Sequence, residues 1–202
     1  MKKKVDFFKK LFQIIPGSVF GLISFGLGIF THLLGVLFYP DYDMIIIPIS
    51  FLGDGYGGGF YRLGIIITGL IAVPFCVYLG KSFKNDHSTE LIRKIALIGS
   101  IIYCISLIFI GLFWRGNNVV SFLHGFFAFI CWVDGLIFIS LFSVLMLKDE
   151  KFPNSIAYFG FIIAGTFLLH LSILRPVTQW IMTLSILLWV WIISSYMLYK
   201  HF

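Results

Sequence analysis

The chain has 202 residues, of which 59% are hydrophobic and 12% charged, with a formal net charge of +6. Soluble domains carry roughly 45–50% apolar and about 25% charged residues, so a water-bounded core is excluded and most side chains must face lipid or another helix. The basic excess does not mark a nucleic-acid partner, because Lys and Arg are scattered over short separate segments and form no continuous face.

Residues 1–15, with Lys2, Lys3, Lys4, Lys9 and Lys10, read as a basic cytoplasmic N-terminus. The apolar run behind it, 16–39, is longer than the roughly 7–15 residues of a signal-peptide core. It ends in "FYPDYD" instead of a small-residue cleavage site, and it reads as a retained first helix. Five more runs follow at 61–82, 91–114, 122–147, 155–174 and 179–199. Each reaches the roughly 17–25 residues that cross about 30 Å of hydrocarbon. The expected fold is all-α: a polytopic bundle of six transmembrane helices over residues 16–200, with a Gly-rich outer loop at 40–60.

Twelve of the fifteen Lys and Arg lie on segments that share a side with the N-terminus, leaving Arg62, Arg115 and Arg175 on the other. The positive-inside bias places both termini in the cytoplasm and the protein in the cell membrane as a multi-pass chain. The basic residues then fix orientation and meet anionic inner-leaflet lipid.

In the first span, Gly17, Gly21, Ser24, Gly28, Thr31 and Gly35 recur at heptad spacing, a seam that lets a neighbouring helix approach backbone to backbone. The "GDGYGGGFYR" segment before the second span lacks the Lys and the Ser or Thr of a phosphate loop. Its glycines permit positive φ or close backbone approach, as a partly ordered cap over an outward groove or as a plain connector. Pro74 interrupts the second span, where it bends a helix. Cys76, Cys104 and Cys131 fall inside spans with no C-x-x-C spacing, as small packing residues from which no disulfide is expected. No internal repeat supports an inverted-repeat transporter.

Polar groups gather on the outer half. His32, His124 and His170 lie near the outer ends of the first, fourth and fifth spans, and Ser50 and Asp54 lie in the outer loop. Asp134 is deeper, near the midplane, where a charged carboxylate costs roughly 2.5–3.5 kcal/mol on insertion scales. His124, Cys131 and Asp134 fall within a narrow arc of one helix and are candidates to line a groove descending from the outer surface. The candidate polar groove is therefore His32, Ser50, Asp54, His124, Asp134 and His170. Arg62, Arg115 and Arg175 are candidates for a lipid headgroup phosphate, which the guanidinium fork suits. Each histidine also reads as an interfacial side chain, and each Arg as a plain lipid contact.

The stretches "PISFLGDGYGGGFYRLGIIITGL" and "SFLHGFFAFICWV" resemble the Frag/DRAM-like group of six-helix membrane proteins, in its prokaryotic branch of unknown function. The matching positions are Ser50, Leu52, Gly53, Phe60 and His124, with departures at Tyr61 and at Gly57 to Gly59. The resemblance implies a lipid-related role, since eukaryotic relatives are associated with glycolipid-anchor remodelling and lysosomal membrane regulation.

Three functions follow as expectations. The first is binding or organising membrane lipid. The second is a membrane-embedded lipid hydrolase or acyltransferase, although no H-x-x-x-H or H-E-x-x-H spacing is present and catalytic zinc needs about three converging ligands. The third is a small proton-coupled transporter centred on Asp134. No metal or cofactor is expected, and the oligomeric state is left open.

Overall fold

The computed structural model describes residues 7–83, 87–114 and 117–201. A short helix, α1 (Phe7–Ile14), precedes the spans where the sequence reading placed only a basic tail. Its "FFKKLFQI" sets Phe7, Phe8, Leu11 and Phe12 on one face, and none of its residues is buried. Phe12 meets Tyr78 edge-on at 5.0 Å between ring centroids, and the Lys81 ammonium lies 5.8 Å from the Phe8 ring. Helix α1 is thus an amphipathic segment tethered to the foot of the second span. Pro16 separates it from the next helix by capping α2 with an extended backbone.

The spans are α2 (Gly17–Leu37), α3 (Gly58–Ser82), α4 (Glu90–Leu112), α5 (Asn118–Lys148), α6 (Asn154–Ile173) and α7 (Pro176–Tyr199). Among the described residues these six are long and apolar enough to cross a membrane, and no strand occurs. Helix α5 starts four residues before its apolar run because the Asn117 side chain accepts from the Val120 amide at 3.0 Å, an N-cap of the usual kind. Helix α6 ends at Leu174, whose backbone is left-handed (φ 52°) and whose N–H donates to the His170 carbonyl. Helix α7 opens on Pro176, at a position where the missing N–H would be unpaired anyway.

Consecutive spans pack against each other, and α7 closes back on α2, giving a ring of six helices. An even number of spans brings both ends of the bundle to one face, called here the terminal face; the opposite one is the loop face. The small-residue seam of α2 is buried along its whole length. It lies in the groove between α3 and α7: an added Cβ at Gly21 would collide with Ser194 Oγ and sit 2.7 Å from the Phe75 ring, and one at Gly28 would sit 2.6 Å from Leu187 Cδ2.

Toward the terminal face the ring is packed with Phe75, Leu79, Phe138, Phe142, Met146, Trp189, Ile193 and Met197, all at most 2% exposed, down to a cavity of about 180 Å³ between Phe12, Ser18, Tyr78 and Met197. Phe138 and Trp189 meet edge-on at 6.0 Å. The three cysteines are free thiols, with the Cys76 and Cys104 sulfurs 3.8 Å apart between α3 and α4. Toward the loop face a smaller cluster of Ile49, Leu52, Tyr61, Ile65, Trp114 and Trp180 takes over, and there the ring is not filled.

Candidate functional site

The segment between α2 and α3 forms a roof over the loop face. Pro48 starts a 3-10 helix, Ile49–Asp54, with Ile49, Leu52 and Gly53 buried. Three long-range hydrogen bonds hold the segment down. The Ile49 amide donates to Gln179 Oε1 of α7 at 3.2 Å. Trp114 Nε1 donates to Asp54 Oδ1 at 2.6 Å, and Trp180 Nε1 donates to Tyr42 Oη at 2.9 Å. Tyr42 passes its own proton to the Ile47 carbonyl at 3.0 Å. A plain flexible connector would make none of these contacts.

The glycines serve packing. No glycine among the described residues has a positive φ, which narrows the earlier alternatives to close approach. Gly53 lies flat beneath the Trp114 indole, which occupies the place a Cβ would take, and Gly58 abuts the Gly53 carbonyl group in the same way. Gly58 and Gly59, read as loop, form the first turn of α3.

Burial pushes the Tyr42 phenol up to about 12, with the Trp180 hydrogen bond opposing. Its ordinary value is about 10, so the folded state keeps the proton that the unfolded chain loses. The stabilisation from this proton is complete below about pH 10 and falls away as pH rises from about 10 to 12. Phenolate absorbance of the native protein should place Tyr42 ionisation near pH 12. Tyr42→Phe should remove that component of the titration and flatten the loss of stability over the same interval.

Beneath the roof is a cavity of about 90 Å³. Its polar lining comes from the roof and from every span but α6: His32 of α2, Ser50 of the roof, Tyr61 of α3, Tyr103 of α4, His124 and Cys131 of α5, and Gln179 and Thr183 of α7. Ile49, Leu107, Trp114, Trp132 and Met182 supply much of the apolar wall. His32 Nδ1 lies 2.7 Å from the Gly28 carbonyl oxygen, which can only accept, so Nδ1 carries the proton and Nε2 is an acceptor. His124 Nδ1 likewise donates to the carbonyls of Ile110 and Phe113, at the end of α4, at 3.3 and 3.1 Å.

The remaining candidates lie elsewhere. His170 is behind the wall: its ring meets Trp132 edge-on at 4.5 Å. Thr178 Oγ1 donates to the Arg175 carbonyl at 2.8 Å and so accepts from His170 Nδ1 at 2.9 Å, which locks the turn between α6 and α7. His170 Nε2 is buried with no partner. Asp54 is exposed above the roof and acts on the cavity through Trp114.

Asp134 lies outside the lining, one turn deeper than Cys131, with its carboxylate against α4 at Gly99, where a Cβ would be 3.3 Å from Oδ1. The expected arc of His124, Cys131 and Asp134 therefore contributes two of its three members. Arg62 is half-buried and its Nε donates to the Gly58 carbonyl at 3.2 Å, while Arg175 is exposed at the start of α7. Neither lines the cavity. Arg115 lies outside the described residues.

Gln179, Tyr61, Tyr103, Trp114, Trp132 and Thr183 are the site residues that sequence reasoning missed. Only Gln179 carried a signal, as an amide at the start of an apolar run. Among the described residues no three His, Cys, Asp or Glu side chains gather closely enough to hold a metal ion. His32 and His124 are separated by the rings of Tyr61 and Trp114, which link them edge to face.

No protein-family model matches this chain, and neither the curated proteins nor the solved structures gave a match. The class rests on the fold itself: an all-helical, multi-pass membrane protein of six spans. Its particular feature is the roofed cavity at the loop face, mainly apolar with a few polar groups from the roof and five spans.

Proposed function

We propose that this protein binds the polar head of a membrane lipid in the cavity beneath the roof, with the loop face turned away from the cytoplasm and the cell membrane as its location. The observation that carries the reading is the cavity itself, a mainly apolar space into which the roof and five helices each bring a few polar groups, inside a ring whose outer surface is apolar. A space of about 90 Å³ is several times the minimum of about 10–15 Å³ that a single water needs, so it admits a small polar group and leaves the acyl chains outside, against the exposed apolar residues of the ring. The proposed kinship with Frag/DRAM-like proteins points the same way. Arg62 and Arg175, on the loop side, are proposed to meet phosphates at the bilayer surface, together with Arg115, which the sequence assigns to the same side.

Native mass spectrometry of protein released from lipid nanodiscs tests this reading. The unmodified protein is expected to retain one lipid. His32→Phe, which fills the cavity and removes an acceptor, should reduce the retained fraction about tenfold while the helical circular dichroism is unchanged. An unmodified protein that emerges free of lipid, or equal retention by the variant, would overturn the reading.

A further inference from the structure

The walls of the cavity select among head groups. Four aromatic side chains line it: Tyr61 of α3, Tyr103 of α4, Trp114 just beyond α4, and Trp132 of α5. Tyr61 and Trp114 stand at 78° with centroids 6.0 Å apart, and Trp114 and the His124 imidazole stand at 74° and 5.0 Å. Neighbouring walls therefore meet near right angles, as at the corner of a box. The other two rings are braced edge to face, Trp132 by His170 at 4.5 Å and Tyr103 by Phe138 at 5.2 Å.

Among the described residues, no Lys, Arg, Asp or Glu lines the space. An anion would enter it without a Lys or Arg donor. A primary ammonium would have to seat three N–H donors at once on the few acceptors the lining offers, among them His32 Nε2 and the oxygens of Ser50, Gln179 and Thr183. A quaternary ammonium brings none, so its burial leaves no donor unpaired, and aromatic faces within about 6 Å attract it. The hydrogen bond from Trp114 Nε1 to the Asp54 carboxylate pushes electron density onto the indole and strengthens its attraction for a cation. His32 adds the lone pair of Nε2, because its Nδ1 proton is committed to Gly28.

We propose that the cavity is an aromatic cage for a quaternary ammonium group, the choline-type head of a zwitterionic lipid, formed by Tyr61, Tyr103, Trp114 and Trp132. This assignment rests on the lipid reading of the same cavity and names the lipid class. The chemistry is shared by free choline, and the two sources are separable by experiment.

Tryptophan fluorescence of the purified protein is followed while choline, ethanolamine, or the neutral alcohol in which carbon replaces the nitrogen of choline is added. In parallel, native mass spectrometry records lipid retained from an equal mixture of phosphatidylcholine, phosphatidylethanolamine and phosphatidylglycerol. Choline is expected to bind about tenfold more tightly than either analogue, and phosphatidylcholine to be retained preferentially. Trp132→Leu and Tyr103→Leu should each weaken choline binding about tenfold, and Tyr103→Phe should stay within about twofold, in keeping with a cation–π contact of about 1–2 kcal/mol.

Because the Leu variants also lose packing, the comparison of choline with its carbon isostere on unmodified protein decides the matter. Equal binding of those two, or lipid retention without preference for phosphatidylcholine, overturns the ammonium cage and leaves a lipid site standing. Choline binding with no lipid of any class retained supports the cage and overturns the lipid reading.

Discussion

Gly21→Leu and Gly28→Leu are each expected to lower the melting temperature in detergent by about 10 °C, the shift that overpacking of a closed seam implies. The added side chain at Gly21 meets Ser194 and Phe75 at once, and at Gly28 it meets Leu187. A whole leucine must then separate α2 from α3 or α7. Overpacking of this kind costs about 1–3 kcal/mol or more, and in a chain of this length about 3 kcal/mol corresponds to roughly 6–12 °C. Gly26→Leu is the control: Gly26 is exposed and a Cβ there has nothing within 4 Å, so its melting temperature should be unchanged. Equal melting of the seam variants and the control would remove the seam from the account of how the ring closes.

Gly58→Ala and Gly59→Ala should differ in sign, although the two glycines are adjacent in the first turn of α3. A methyl at position 58 would collide with the Gly53 carbonyl oxygen and lie 2.5 Å from its carbon. Both are backbone atoms, so the roof must lift off α3 to make room. The expected result is a loss of about 1–3 kcal/mol, a red shift of the tryptophan emission that is absent on a Trp114→Phe background, as the contact of Trp114 with Gly53 opens, and loss of retained lipid. A methyl at position 59 meets nothing within 4 Å, and alanine favours helix over glycine by up to about 1 kcal/mol. Gly59→Ala should therefore melt at the same temperature or slightly higher. Identical behaviour of the two variants would contradict a roof seated on Gly58.

The ring of spans was legible because its determinants are local. Length and apolarity identify each helix, and the 4-and-3 spacing from Gly17 to Gly35 marks a buried face without knowledge of the partner. The amphipathic pattern of Phe7, Phe8, Leu11 and Phe12 was equally local, but the neighbouring lysines directed attention to charge and away from period. The roof was legible only as one of two alternatives, because its clamps join residues 60, 130 and 138 positions apart. Nothing around Trp114 distinguishes it from other aromatics ending an apolar run, yet it turns back past α4 to hold Asp54. His32, His124 and Ser50 were found because they are polar groups in an apolar chain. Tyr61, Tyr103 and Trp132 were missed because an aromatic side chain reads the same whether it faces lipid, core or cavity. Asp134 shows the converse: depth in the span marked it, but the face it takes against Gly99 depends on how α4 and α5 cross.

Labelling with photo-methionine in nanodiscs tests the binding claim most directly, because the chain has five methionines and they sample different surroundings. Met182 lines the cavity beneath the roof, whereas Met146 is wholly buried in the terminal-face core and lines neither cavity. After illumination and peptide mapping, a lipid adduct is predicted on the peptide carrying Met182 and none on the one carrying Met146. Illuminated protein with no lipid on Met182, or with an equal adduct on Met146, would contradict a lipid head seated beneath the roof.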